Sequence, residues 1–152
     1  MNEKVNASPA KSARHRAREL ALQGLYQWRI AGADINQIDK TTRDEKSLGR
    51  YDVDLFVKLL RGASNQQATL DEKLSPLLDR PLAELSPVEY SVLLLSAYEL
   101  ANLPEIPYRV IINEGVELAK TFGGSDGHKF VNGVLDKLAA QLRAVEMAAN
   151  AG

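Results

Sequence analysis

The chain has 152 residues, 45% of them hydrophobic and 26% charged, with a formal net charge of −1 and no cysteine. This is ordinary composition for a globular protein: it excludes wholesale disorder and leaves room for one domain or two very small packed subdomains. Disulfides and thiolate metal sites are excluded, and no stretch approaches the roughly 20 apolar residues that span a bilayer, so a cytoplasmic address without membrane contact is expected.

Charge is unevenly spread. Up to Arg18 the chain carries Lys4, Lys11, Arg14, Arg16 and Arg18 against Glu3 alone, a local balance of +4. Residues 1–11 and 148–152 lack large apolar anchors and read as loose tails. From Ser12 to Ala31, Ala13, Ala17, Leu20, Ala21, Gly24 and Trp28 recur at three- and four-residue spacings, which predicts an amphipathic helix. Lys11, Arg14, His15, Arg18, Tyr26 and Arg29 then project together from a different side. Arginine forks suit phosphate oxygens and an adjacent tyrosine can stack on an unpaired base, which makes this stripe the first candidate RNA-binding surface. The plainer reading is a solvated helix face, although Glu19 is the only acid on that helix.

Residues 32–50 are polar and predict a short helix or a loop. Over 52–74, Phe56, Leu59, Leu60, Ala63, Gln67, Leu70 and Leu74 keep the spacing of a single helix, with Asp52 and Asp54 suited to the dipole at its start. Pro76 and Pro81 punctuate the middle of the chain and place a boundary between an N-terminal helical subdomain, 12–80, and a C-terminal one, 81–147. Ser86-Pro87-Val88-Glu89 is a helix start in which Ser86 caps, Pro87 takes the first position and Glu89 completes a capping box. The apolar residues from Val92 to Ala101 cover most of the circumference, so this helix is expected at the centre of the second half. A helix from Tyr108 to Phe122 ends at Gly123-Gly124, and a last one begins at Ser125 or Asp126 with Val131, Val134, Leu135, Leu138, Leu142 and Val145 on its apolar face. With no period-two strand pattern, the fold class is all-α: about seven helices in two small packed bundles.

Catalytic chemistry is not expected. The chain has no phosphate-cradling GxxxxGK[ST], no GxGxxG and no GxSxG, and His15 and His128 are far apart in sequence, so neither a metal, a cofactor nor an enzymatic activity is implied. Ser125, Asp126 and His128 are close, but neighbours along a helix start seldom form a relay, and capping is their simpler role. A second binding candidate spans Gly123 to Phe130. There a helix N-terminus meets His128 and Lys129, glycines allow close approach of a backbone or phosphate, and Phe130 can stack a base if it faces solvent. A Gly-ended helix followed by an ordinary cap, with Phe130 buried, is the alternative. Glu99, Glu105, Glu114 and Glu117 form a third, acidic set that suits a basic protein partner or simply a solvated face.

Three stretches carry a family resemblance. They are Ala13-Arg14-His15-Arg16-Ala17-Arg18-Glu19 with Leu25-Tyr26-Gln27-Trp28; Ala97-Tyr98-Glu99-Leu100 leading to Ile106-Pro107-Tyr108 and Ile112-Asn113-Glu114; and His128-Lys129-Phe130-Val131-Asn132-Gly133-Val134-Leu135-Asp136. Together they resemble the NusB family of bacterial transcription antitermination factors. The resemblance implies two small helical bundles. It also implies pairing with the small-subunit ribosomal protein NusE, binding by the pair of boxA-type single-stranded RNA of ribosomal-operon transcripts, and indirect association with other Nus factors and RNA polymerase. Carried over by position, RNA contacts fall on Arg14, Arg16, Arg18, Tyr26 and Phe130. Asp126 is implied close to the RNA surface, and Glu89 near both RNA and partner. His15 stands where many relatives have another basic residue, which makes its charge depend on pH and surroundings. Monomer and homodimer both remain open. A protein-only helical adaptor and an RNA-binding domain related to that of RNA cytosine methyltransferases are the alternatives; no glycine-rich cofactor segment supports a methyltransferase activity in these 152 residues.

Overall fold

The computed structural model describes residues 9–151, with side chains from 13 to 150. Most of the expected N-terminal tail, 1–11, thus lies outside the described residues. Among the described residues there are eight α-helices and no strand, and no helix is long and apolar enough to cross a membrane. Contacts divide the chain into one unit that ends at Ser64 and another that starts at Asn65.

The first unit comprises α1 (Pro9–Ala31), α2 (Ile35–Asp44), a 3-10 turn at Lys46–Leu48 and α3 (Val53–Asn65). On α1, Ala17, Leu20, Ala21, Leu22 and Leu25 are buried. A Cβ on Gly24 would come within 2.8 Å of Leu60 Cδ1 and 3.0 Å of Ile38 Cγ2, so the bare backbone there lets α2 and α3 close on α1. Gly32, at φ +69°, turns the chain out of α1. Asp34 then caps α2 by accepting from the Gln37 N–H at 3.1 Å, which settles the polar stretch 32–50 as helix plus turn. Asp52 caps α3 in the same way through the Leu55 N–H at 3.0 Å. Facing α3, the Asp39 carboxylate is only 1% exposed and takes Arg43 Nε at 2.6 Å and Arg61 Nη2 at 2.7 Å. Burial alone would raise its pKa, but the hydrogen bonds and charges of Arg43 and Arg61 outweigh that and hold it below the ordinary carboxylate range.

The second unit holds α4 (Gln67–Leu74), 3-10 turns at Ser75–Leu77 and Leu82–Glu84, α5 (Pro87–Asn102), α6 (Tyr108–Phe122), α7 (Gly127–Leu142) and α8 (Ala144–Ala151). Every residue of α5 from Tyr90 to Leu100 is buried, as a helix apolar nearly all round requires. The single helix expected over 52–74 is two. At Gln66 the backbone leaves helical geometry (φ −99°, ψ 16°), and its side-chain amide exchanges hydrogen bonds with Asn102 at 2.9 and 3.3 Å. Beyond that break, Gln67 Nε2 donates to Tyr90 Oη and the Tyr90 hydroxyl donates to Asp71, both at 2.8 Å, so α4 belongs with α5. The division therefore falls at 64/65, and Pro76 and Pro81, which mark the expected boundary, lie inside the second unit.

The last helix is also interrupted. Arg143 (φ −125°, ψ 34°) separates α7 from α8, and its guanidinium turns inward to donate to the carbonyls of Glu99, Leu100, Leu103 and Ile106 at 2.9–3.3 Å and to Glu146 at 2.6 Å. One arginine thereby ties the junction of α7 and α8 to the end of α5 and the turn after it, where the Glu99 and Leu103 carbonyls also accept the N–H groups of Leu103 and Ile106. Past this point Val145, expected on the apolar face, is 86% exposed, and residues 144–151 continue as helix where a tail was expected from 148.

Candidate nucleic-acid interface

In the first unit the basic face of α1 is narrower than its sequence suggests. At about 100° per residue Arg18 projects between Leu22 and Leu25, and because both leucines are buried the buried arc takes in Arg18, which is 3% exposed. Its expected place on an RNA-binding surface is therefore corrected: Arg18 is buried and already has an interaction of its own. Glu19 meets His15 Nε2 at 3.3 Å and Arg16 Nη1 at 3.0 Å, and Arg16 Nε also reaches the Leu48 carbonyl at 3.4 Å. Arg14 is 62% exposed, with Asp52 4.0 Å away at the edge of ion-pair range. Tyr26 and Arg29 are exposed near the other end of the helix. What the first unit presents is the exposed Arg14, with His15 and Arg16 held by Glu19 beside it, and an exposed ring at Tyr26. Lys11 carries a side chain outside the described residues.

The second unit concentrates the remaining candidates at the start of α7. Gly123 closes α6 through its N–H to the Ala119 carbonyl at 2.8 Å, and Gly124, Ser125 and Asp126 lead into α7. Asp126 makes no side-chain cap; its carboxylate lies 3.7 Å from Lys129 Nζ, so the capping role expected for it is not taken up. An open recess of about 400 Å³ is lined by Arg80, Glu89, Gly124, Ser125, Asp126, Gly127 and Phe130. Ser86 accepts from the Glu89 N–H at 3.1 Å and so starts α5 as expected, but the Glu89 carboxylate lies against Gly127, where a Cβ would stand 2.7 Å from Oε2. Glycine at 127 thus makes room for a carboxylate inside the recess. Phe130 is half-buried, not core, and Arg80 places its guanidinium carbon over the ring, 4.7 Å from the centroid. Arg80 is itself held by Asp79, with Nε–Oδ1 2.8 Å and Nη2–Oδ2 3.3 Å, and this hydrogen bonding keeps the Asp79 carboxyl below its usual pKa range.

Arg80 escaped sequence reasoning because it sits between two short turns, 50 residues from Phe130, in a segment without periodicity. Only its bond to Asp79, an adjacent acid, is visible along the chain. Glu99 is the second correction. It is 0% exposed within α5 and engaged inside the protein, so it offers no acidic surface to a partner. Glu89, His128 and Lys129 remain accessible to differing degrees. Among the described residues no group of three or more His, Cys, Asp or Glu side chains is placed to hold a metal ion.

Chemically, the recess is two-sided. Arg80 in the recess, and Lys129 outside it beside Asp126, attract anions, whereas Glu89 and Asp126 repel bare phosphate and accept hydrogen bonds from the amino and imino edges of bases. A half-exposed ring between them supplies a stacking surface.

The chain is similar to known proteins along most of its length. The NusB family profile matches residues 15–140. The chain is 58% identical over 142 residues to the transcription antitermination protein NusB of Ralstonia nicotianae, covering 93% of this chain and 92% of that protein. It is 55% identical to the protein of the same name from Dechloromonas aromatica, over 93% and 87%. Among solved structures, T. maritima NusB superposes with a TM-score of 0.71 at 30% identity, covering 83% of this chain and 89% of that one. A chain from a crystal structure of the antitermination factors NusB and NusE in complex with double-stranded RNA superposes at 0.75, with 27% identity over 84% and 96%.

Proposed function

The chain belongs to the NusB family, and from that premise we propose that it is a transcription antitermination factor that grips RNA together with a protein partner. The observation that carries the reading is the half-exposed Phe130 ring, set in an open recess between cationic and carboxylate side chains at the start of α7. No reaction is required of such a site. On the first unit Arg14 supplies positive charge, His15 and Arg16 contact RNA from beside Glu19 and Tyr26 offers an exposed ring, while Asp126, His128, Lys129 and Phe130 contact RNA on the second. Charge contacts position the strand and raise affinity at low salt; carboxylates and stacking favour particular unpaired bases.

NusE, the companion in the solved complex similar to this chain, is the proposed partner, with Glu89 at the junction of RNA and partner. The RNA is a boxA-type single strand of ribosomal-operon transcripts, and other Nus factors and RNA polymerase join through the assembly. The protein acts in the cytoplasm, where transcription takes place, and as a binding factor without enzymatic activity.

The test is transcription in vitro from a template that carries a boxA element upstream of a terminator, with RNA polymerase, NusE and the remaining Nus factors, with and without this chain. Readthrough that requires both the chain and an intact boxA is expected. Equal readthrough without the chain would overturn the proposal.

A further inference from the structure

We propose that the stacking platform of the recess is the Arg80–Phe130 pair, with the Arg80 guanidinium itself a nucleotide contact. The inference rests on the RNA-binding reading above and names a contact beyond it. Three features of the geometry support it. The guanidinium carbon lies over the ring at 4.7 Å from its centroid, so one face of Phe130 is already covered by a cation. Asp79 takes both Nε and Nη2, which fixes the plane of the fork and leaves Nη1 outside that pair. The side chain is 41% exposed and lines the same recess as Glu89, Asp126 and Phe130.

A guanidinium stacks on a base much as an aromatic ring does, and it adds charge-assisted hydrogen bonds to phosphate or to base acceptors. Anchored on Phe130 and tethered by Asp79, Arg80 loses little further freedom when a nucleotide docks on it. The Asp79 tether thus serves as pre-organisation. Lysine would keep the charge at this position and lose the plane, and that difference separates a stacking contact from a point charge.

The experiment titrates a fluorescent boxA-like single-stranded RNA with the full-length wild type, Arg80→Ala, Arg80→Lys, Phe130→Ala and the Arg80→Ala/Phe130→Ala double variant at several salt concentrations, with melting curves to confirm folding. Arg80→Ala is expected to weaken binding roughly tenfold, within the range of a lost stacking contact. Arg80→Lys should lose nearly as much while its salt slope stays that of the wild type. The double variant should fall well short of the product of the two single losses, because the pair acts as one surface. Wild-type affinity in Arg80→Lys, unchanged or tighter binding in Arg80→Ala, or fully multiplicative losses would overturn the proposal. So would an Arg80→Ala variant that keeps its RNA affinity and loses only NusE. If wild type itself binds no RNA, the broader reading has failed, and this one falls with it.

Discussion

Removing the Phe130 ring should cost about 1–3 kcal/mol of RNA affinity, since each base stacked on an aromatic side chain contributes on that order. Because the ring is half-buried at the rim of a recess, Phe130→Ala should still fold. Equilibrium titration beside a melting curve checks both, and a collapse of folding without a specific loss of affinity would make Phe130 a core residue. Arg14 and Arg18, alike in sequence context, should behave differently. Arg14→Ala should lower the slope of log affinity against log salt by roughly 0.7, the share of one phosphate contact on a single strand. Arg18 is 3% exposed, so Arg18→Ala should lower the melting temperature first. Equal effects of the two on the salt slope would contradict the burial argument. Residue types and spacing were enough to single out Tyr26, Phe130 and Lys129 as candidates, and the family resemblance added Asp126. They could not separate Arg18 from its neighbours, because Leu22 and Leu25, which widen the buried arc around it, lie off the small-residue face by which α1 is recognised. Glu99 was illegible for a similar reason: its helix is buried on every side.

Between elements, polar side chains do much of the fastening. Asp39 on α2 holds Arg61 on α3, and its lowered pKa gives that link a pH signature. A carboxyl whose pKa is depressed on folding contributes stability that is fully present above its unfolded value, about 3.9, and is lost as pH falls through the folded value. Thermal stability should therefore be level near neutrality and fall below about pH 4, and Asp39→Asn should lower stability at neutral pH while flattening the acid limb. Melting temperatures of both proteins from pH 7 to pH 3 check this; parallel curves would show that Asp39 does not contribute to the acid limb. The helices themselves were readable from their apolar periodicity, caps and prolines. Both interruptions were not. At Gln66 and Arg143 the pattern of apolar residues runs on, and the breaks depend on where a side chain goes: the Gln66 amide to Asn102, the Arg143 guanidinium to four carbonyls of the α5–α6 region. The same dependence on distant partners hid Arg80.

Across the whole molecule, a net charge of −1 gives no general attraction to nucleic acid, so RNA binding has to come from local groups. Some of those local charges are already spent inside the fold, on Glu19 and within the buried arc of α1. A modest affinity of the chain alone, raised by a partner that adds its own contacts, follows from that arithmetic of charge. The most direct test is fluorescence anisotropy of a short boxA-like RNA and of a scrambled control, each titrated with this chain alone and with NusE at several salt concentrations. Binding that prefers boxA, weakens with salt and tightens with NusE is the expected result. No RNA binding under either condition would contradict it and leave a protein-only helical adaptor in its place.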